Sequence, residues 1–197
     1  MTDLVDLEPA TRRMAEVVAG VPDDLLDGPT PCPAYALGDL LDHVSGLAVA
    51  FRMAADKAYP EGESTPPSGD VASLGDGWRT RIPRDLELLA EAWRSPEAWT
   101  GRTEVGTAQL PGELAGLVAL DELVIHGWDI ARATGQDYEC DRASLEAVHG
   151  LLVQFAAPGQ EQMRSGLFGP VVDVPSDASL LARVIGLTGR DPAWSPG

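Results

Sequence analysis

The chain has 197 residues and a net charge of −17, from 31 acidic and 14 basic side chains, with Lys57 its one lysine. A surface of that sign repels phosphate backbones and anionic lipid, which excludes nucleic-acid and membrane partners. Hydrophobic residues make up 44% and aromatic residues 6%, with Ala and Leu dominant, so the composition favours helices over strands within one domain spanning 1–197.

The first predicted element is a helix over 4–19. Leu4, Leu7, Met14, Val17 and Val18 recur at helical spacing, Thr2 or Asp3 caps the start and Gly20 ends it. Pro9 belongs to its first turn or breaks it. The run Asp27-Gly-Pro-Thr-Pro-Cys-Pro33 is a rigid connector, because each proline fixes its own φ and restricts the residue before it. A long helix follows over 36–58, with Leu37, Leu40, Leu41, Val44, Leu47, Ala48 and Phe51 on one wide apolar stripe.

Residues 59–77 are expected to be a mobile surface loop. A third helix covers 78–94, with Pro83 shifting its true start to near Ile82. Residues 100–112 form an extended loop or a short hairpin. The fourth helix, 112–134, is the most hydrophobic and ends at Gly135, a left-handed cap. The fifth spans 141–156 with Asp141 as N-cap. In the tail, 168–175 is extended and 179–187 is a last short helix. The pattern describes an all-α helical bundle with an additional C-terminal helix and a short extended segment.

No basic or apolar leader precedes the first helix, and no apolar run approaches about 18 residues. Cys32 and Cys140 lie far apart and form no CxxC pair, so two reduced thiols and a cytoplasmic location are expected. Glycine-rich phosphate loops, GxSxG elbows and CxxC pairs are absent, leaving nucleotide and serine-hydrolase chemistry without support.

One constellation carries chemistry. Glu122 precedes His126 by four residues, which places both on one helix face about 5–6 Å apart at Cβ. His43, on the second helix, is a candidate third ligand. Two histidines and a carboxylate leave coordination positions open on a divalent ion, as catalytic sites require. A plainer reading competes. Asp121, Glu122, His126, Asp129 and Arg132 span roughly 140° of the wheel at ~100° per residue, consistent with a solvated stripe. His43 lies at the edge of its own apolar stripe, where a boundary histidine is equally at home.

Three stretches carry a family likeness: Thr30-Pro-Cys-Pro33 leading into Asp39-Leu-Leu-Asp-His43; Glu122-Leu-Val-Ile-His-Gly-Trp-Asp-Ile-Ala-Arg-Ala-Thr-Gly135; and Phe168-Gly-Pro-Val-Val-Asp-Val-Pro175 followed by Leu187-Thr-Gly-Arg-Asp-Pro192. Through them the chain resembles the actinobacterial branch of the DinB-like family related to the metal-binding domain of mycothiol-dependent maleylpyruvate isomerase. The resemblance implies a DinB-like four-helix bundle with a metal at its open end, held by His43, Glu122 and His126. Zinc is the implied ion, and nickel and iron fit the same ligands. Mycothiol is the implied co-substrate. Two departures stand out. Tyr35 follows the proline motif where the family usually has tryptophan. The isomerase also carries an additional C-terminal domain contributing to its active site, and 197 residues leave no room for one.

Other residues divide between sharp and plain roles. Asp129, three residues past His126, either orients that histidine from behind as a hydrogen-bond acceptor or bonds an exposed partner. Trp128 reads as packing or a dimer contact. Arg132 reads as a surface ion pair with Asp121 or Glu122 ahead of a carboxylate anchor. Cys32 is about 16 Å from His43 if the helix began there, and reads as structural; so do Cys140 and His149. Two functions follow. One is a metal-dependent thiol (mycothiol) transferase or isomerase-like enzyme acting on a small-molecule electrophile. The other is a non-catalytic helical-bundle module for dimerisation or small-ligand binding. A homodimer is the expected assembly.

Overall fold

The computed structural model describes residues 4–58, 69–164 and 166–196. Four long helices form the core: α1 (Glu8–Ala19), α2 (Leu37–Asp56), α4 (Trp78–Ala92) and α5 (Gly112–Ala133). Short elements join them: a 3-10 turn at Asp23–Leu25, α3 (Val71–Leu74) and the antiparallel pair β1 (Arg102–Val105) and β2 (Ala108–Pro111). Helices α6 (Arg142–Phe155), α7 (Glu161–Arg164) and α8 (Leu180–Leu187) complete the described chain. The bundle helices pack in the ring α1–α4–α2–α5, the hairpin lies on α2 and α5, α6 packs on α5 and α8 packs on α6. This is the mostly helical, DinB-like fold that the sequence implies, with one two-stranded sheet among the described residues.

Each helix forms where apolar periodicity meets a workable end. Pro9 lies in the first turn of α1, where its missing N–H costs nothing, and the helix starts at Glu8 rather than residue 4. The expected caps Thr2 and Asp3 lie outside the described residues, as do 59–68 of the expected surface loop; 71–74 of that loop are helical. Asp39 and Asp42 of α2 fasten the chain leading into α3 by accepting from the backbone N–H groups of Val71 (2.8 Å) and Asp70 (3.1 Å).

Pro83 does not delay α4, which begins at Trp78. Trp78 and Ile82 are one turn apart and both buried, so core packing holds the first turn across the interruption. The Trp93 indole N–H donates to the Phe51 carbonyl at 3.1 Å, joining α4 to α2. Downstream, Asp141 caps α6 by accepting from the Ser144 N–H (2.9 Å), and Ser179 caps α8 through Ala182 (3.1 Å). The segment 168–175 runs without strand pairing against α8, held by the N–H of Val172 on the Gly186 carbonyl (3.0 Å). Among the described residues no helix is long and apolar enough to cross a membrane.

Candidate metal centre

Helix α5 is apolar nearly all the way round, and such a helix has to be enclosed on all sides. Its neighbours α1, α2 and α6 cover most of it, so Asp121, His126 and Asp129 face protein instead of water, while the Glu122 side chain stays 28% exposed and Glu113 in the first turn is open to solvent. Asp121 is 4% exposed, His126 6% and Asp129 0%. The solvated-stripe reading therefore fails: what covers a helix decides where its polar face points. Gly127 belongs to the same close packing, since a Cβ there would lie 2.8 Å from the Tyr138 hydroxyl oxygen.

The packing of α2 on α5 brings His43 to Glu122 and His126. Glu122 Oε2 lies 3.0 Å from His126 Nε2 and 4.0 Å from His43 Nε2. The imidazoles meet edge to face with centroids 5.2 Å apart, and one ligand atom from each of the three residues lies within 4.8 Å of the others. Two atoms bound at about 2.1 Å to one tetrahedral ion stand about 3.4 Å apart. The donor set and its spacing therefore fit a divalent cation with little closure.

Each histidine is also held from behind. His126 Nδ1 is 2.9 Å from Asp129 Oδ2, and Arg190 donates to both oxygens of Asp129, from Nε at 2.7 Å and Nη2 at 2.8 Å. The His43 ring stacks on Tyr35 with centroids 4.7 Å apart, and its Nδ1 is 3.4 Å from the Tyr35 hydroxyl. Thr30 fixes that turn by sharing its hydroxyl between the carbonyls of Cys32 (3.0 Å) and Tyr35 (2.8 Å).

The site's titration follows from its burial. Desolvation pushes the His126 pKa down, but hydrogen bonds to Asp129 and Glu122 outweigh it and raise the imidazole to about 10. Desolvation likewise pushes Glu122 up, and the adjoining His126 and His43 overcome this and leave it below the usual carboxylate value. For Asp121 the balance goes the other way: desolvation and the neighbouring Glu122 charge outweigh the pull of Arg190 and His126 and raise it to about 8. Its Oδ1 is buried without a hydrogen-bond partner among the described residues.

Several expectations need correction. Cys32 is not remote: its sulfur lies within 4.8 Å of ligand atoms of His126 and Asp129. The proline run turns back before α2 begins, so helical rise does not set its distance. Arg132 pairs with neither Asp121 nor Glu122; its Nε donates to the Trp194 carbonyl at 3.0 Å. Of the two readings given for Trp128, packing is the one that holds, at 5% exposure. Cys140 and His149 line a separate groove between α6 and α8. Arg190 escaped the residue-level reading, although the Leu187–Pro192 stretch that contains it was one of the three that carried the likeness.

Residues 7–131 match the family model described as the mycothiol maleylpyruvate isomerase N-terminal domain. Uncharacterised proteins from two strains of Mycobacterium tuberculosis are 28% identical over 166 residues, covering 81% of this chain and 85% of theirs. The crystal structure of the mycothiol-dependent maleylpyruvate isomerase superposes with a TM-score of 0.66 at 17% identity, over 96% of this chain and 89% of that one. A histidine-to-alanine mutant of that enzyme gives 0.64 at 18% identity, over 95% and 88%. The shared fold thus leaves little of the isomerase chain unmatched, which overturns the expectation that this chain is shorter by a whole domain.

Proposed function

This chain belongs to the family of the mycothiol maleylpyruvate isomerase N-terminal domain, and from that premise we propose that it is a divalent-metal protein acting on a low-molecular-weight thiol, as a metal-dependent thiol transferase or isomerase-like enzyme. The observation that carries this reading is the convergence of His43, Glu122 and His126 from two helices, with one ligand atom of each within 4.8 Å of the others. In this reading those three residues hold the ion, with zinc as the first choice and nickel and iron compatible with the same donors. When bound, such an ion supplies Lewis acidity that stabilises a thiol as thiolate near neutral pH.

The charge of the surrounding residues supports a monoanionic ligand. Arg190 neutralises Asp129, Asp121 holds its proton below about pH 8, and once a cation takes both Nε2 atoms the two imidazoles are neutral, His126 having released the proton that Asp129 and Glu122 otherwise stabilise on it. Glu122 therefore leaves the pocket with one negative charge. A divalent cation would bring it to one positive charge, which a single thiolate balances. Mycothiol, on which the isomerase with the same fold depends, is the thiol to try first.

The test is elemental analysis of protein purified without chelators, followed by a conjugation assay with mycothiol and a panel of electrophiles. We expect one equivalent of metal per chain and thiol conjugation that chelation abolishes. Stoichiometric metal with no turnover supports the non-catalytic module instead, and absence of bound metal after zinc titration overturns the metal reading.

A further inference from the structure

Every histidine that binds a cation through Nε2 has to carry its proton on Nδ1, and something has to accept that proton's hydrogen bond. For His126 the acceptor is the Asp129 carboxylate at 2.9 Å. For His43 the corresponding position holds a phenol: Tyr35 lies with its hydroxyl oxygen 3.4 Å from Nδ1 and its ring 27° from coplanar with the imidazole. We propose that Tyr35 is the positioning residue of His43, its phenolic oxygen accepting from Nδ1–H so that the Nε2 lone pair stays free and aimed at Glu122. The inference rests on the metal reading above.

Three observations bear on it. First, the two histidines have the same arrangement, with Nε2 facing Glu122 Oε2 (4.0 Å from His43, 3.0 Å from His126) and Nδ1 facing an oxygen on the opposite side. Second, Tyr35 is itself anchored. Its carbonyl accepts from the Thr30 hydroxyl at 2.8 Å and its N–H donates to the Cys32 carbonyl at 3.2 Å, so the turn delivers the phenol in one place. Third, the stack fixes the plane of the imidazole and holds the phenol against it, and the 3.4 Å contact is a long hydrogen bond whose direction the tautomer sets. Tyrosine serves here because its hydroxyl is an acceptor as well as a donor.

The arrangement makes the two ligands unequal. His126 is backed by a carboxylate, which raises the basicity of its ring, whereas His43 is backed by a neutral phenol and is the weaker donor. His43 is therefore the ligand that exchanges more readily when a substrate enters.

The test uses the full chain. In zinc-loaded protein with nitrogen-15-labelled histidine, His43 is expected to show a protonated Nδ1 and a metal-bound Nε2. Y35F keeps the ring and the stack but removes the oxygen. It is expected to weaken zinc binding about tenfold in competition with a chromophoric chelator, the lower end of the effect for groups behind a ligand. Its metal-free melting temperature is expected to stay at the wild-type value. A protonated Nε2 in the wild type, or equal zinc affinity in Y35F, overturns the role of Tyr35 while leaving the metal site standing. Failure of the wild type itself to bind zinc removes the metal reading, and the assignment with it.

Discussion

Arg190 closes on the carboxylate of Asp129 from 61 residues away in sequence, with two nitrogens at 2.7 and 2.8 Å, and both side chains are largely or wholly buried. The same carboxylate holds His126 Nδ1. The C-terminal segment therefore reaches the candidate ligands through one shared group.

Removing Arg190 leaves a carboxylate buried without its counter-charge. Breaking a buried pair from one side costs about 3–5 kcal/mol. R190Q is expected to lose stability on that scale in chemical denaturation, and to bind zinc more weakly because Asp129 no longer holds one orientation. The double variant with D129N is expected to recover much of the stability and none of the affinity. Recovery of both would mean that the pair contributes only to folding.

Alanine in place of His43, Glu122 or His126 is expected to abolish stoichiometric metal, measured by elemental analysis after zinc loading. The loss should exceed the about 10–100-fold typical of groups that merely support a ligand. H149A is the control, since His149 lines the separate groove between α6 and α8. Its metal content is expected to match the wild type.

Asp121 makes the native state less stable as pH rises. Its native pKa is about 8 against an ordinary 3.8, so between those values the folded chain keeps a proton that the unfolded chain gives up. The melting temperature of metal-free protein is expected to fall across that window. D121N removes the titration and should raise the melting temperature near pH 7, by about 2–4 °C for each kcal/mol recovered in a chain of this size. Near pH 4 the variant and the wild type should converge. Parallel pH profiles would show that Asp121 is not the group responsible.

Cys140 is expected to be a poor nucleophile. Burial, then the Asp141 charge, raises its thiol to about 12 from an ordinary 9.0. Between pH 9 and 12 the unfolded thiol gives up its proton and the native thiol does not, so this group's contribution to stability fades as pH rises through that range. Alkylation of native protein at pH 8 should modify Cys140 far more slowly than in denaturant, as peptide mapping would read it. Rapid native labelling would contradict the protonated state.

Local chemistry was the legible part. The four-residue step from Glu122 to His126, the Asp141 cap and the long apolar run of α5 all depend on neighbours within a few positions. What stayed hidden depends on distant chain. Whether Asp121, His126 and Asp129 face water is settled by what packs over α5, which no helical wheel contains. The Arg190–Asp129 contact joins an aperiodic tail to a helix. Cys32 approaches His126 because prolines turn the backbone, where counting residues along an assumed helix measures the wrong path. Trp78 keeps α4 helical ahead of Pro83 through burial that local propensity does not register.

The stitching between α5 and the tail runs both ways: the tail lends Arg190 to Asp129, and α5 lends Arg132 to the Trp194 carbonyl. Protein synthesis proceeds from the amino end, so all four bundle helices leave the ribosome before either stitch can form. A nascent bundle would carry His43, Glu122 and His126 while the carboxylate behind His126 still lacked its arginine. Full grip on a cation would then arrive last, as a property of the finished chain.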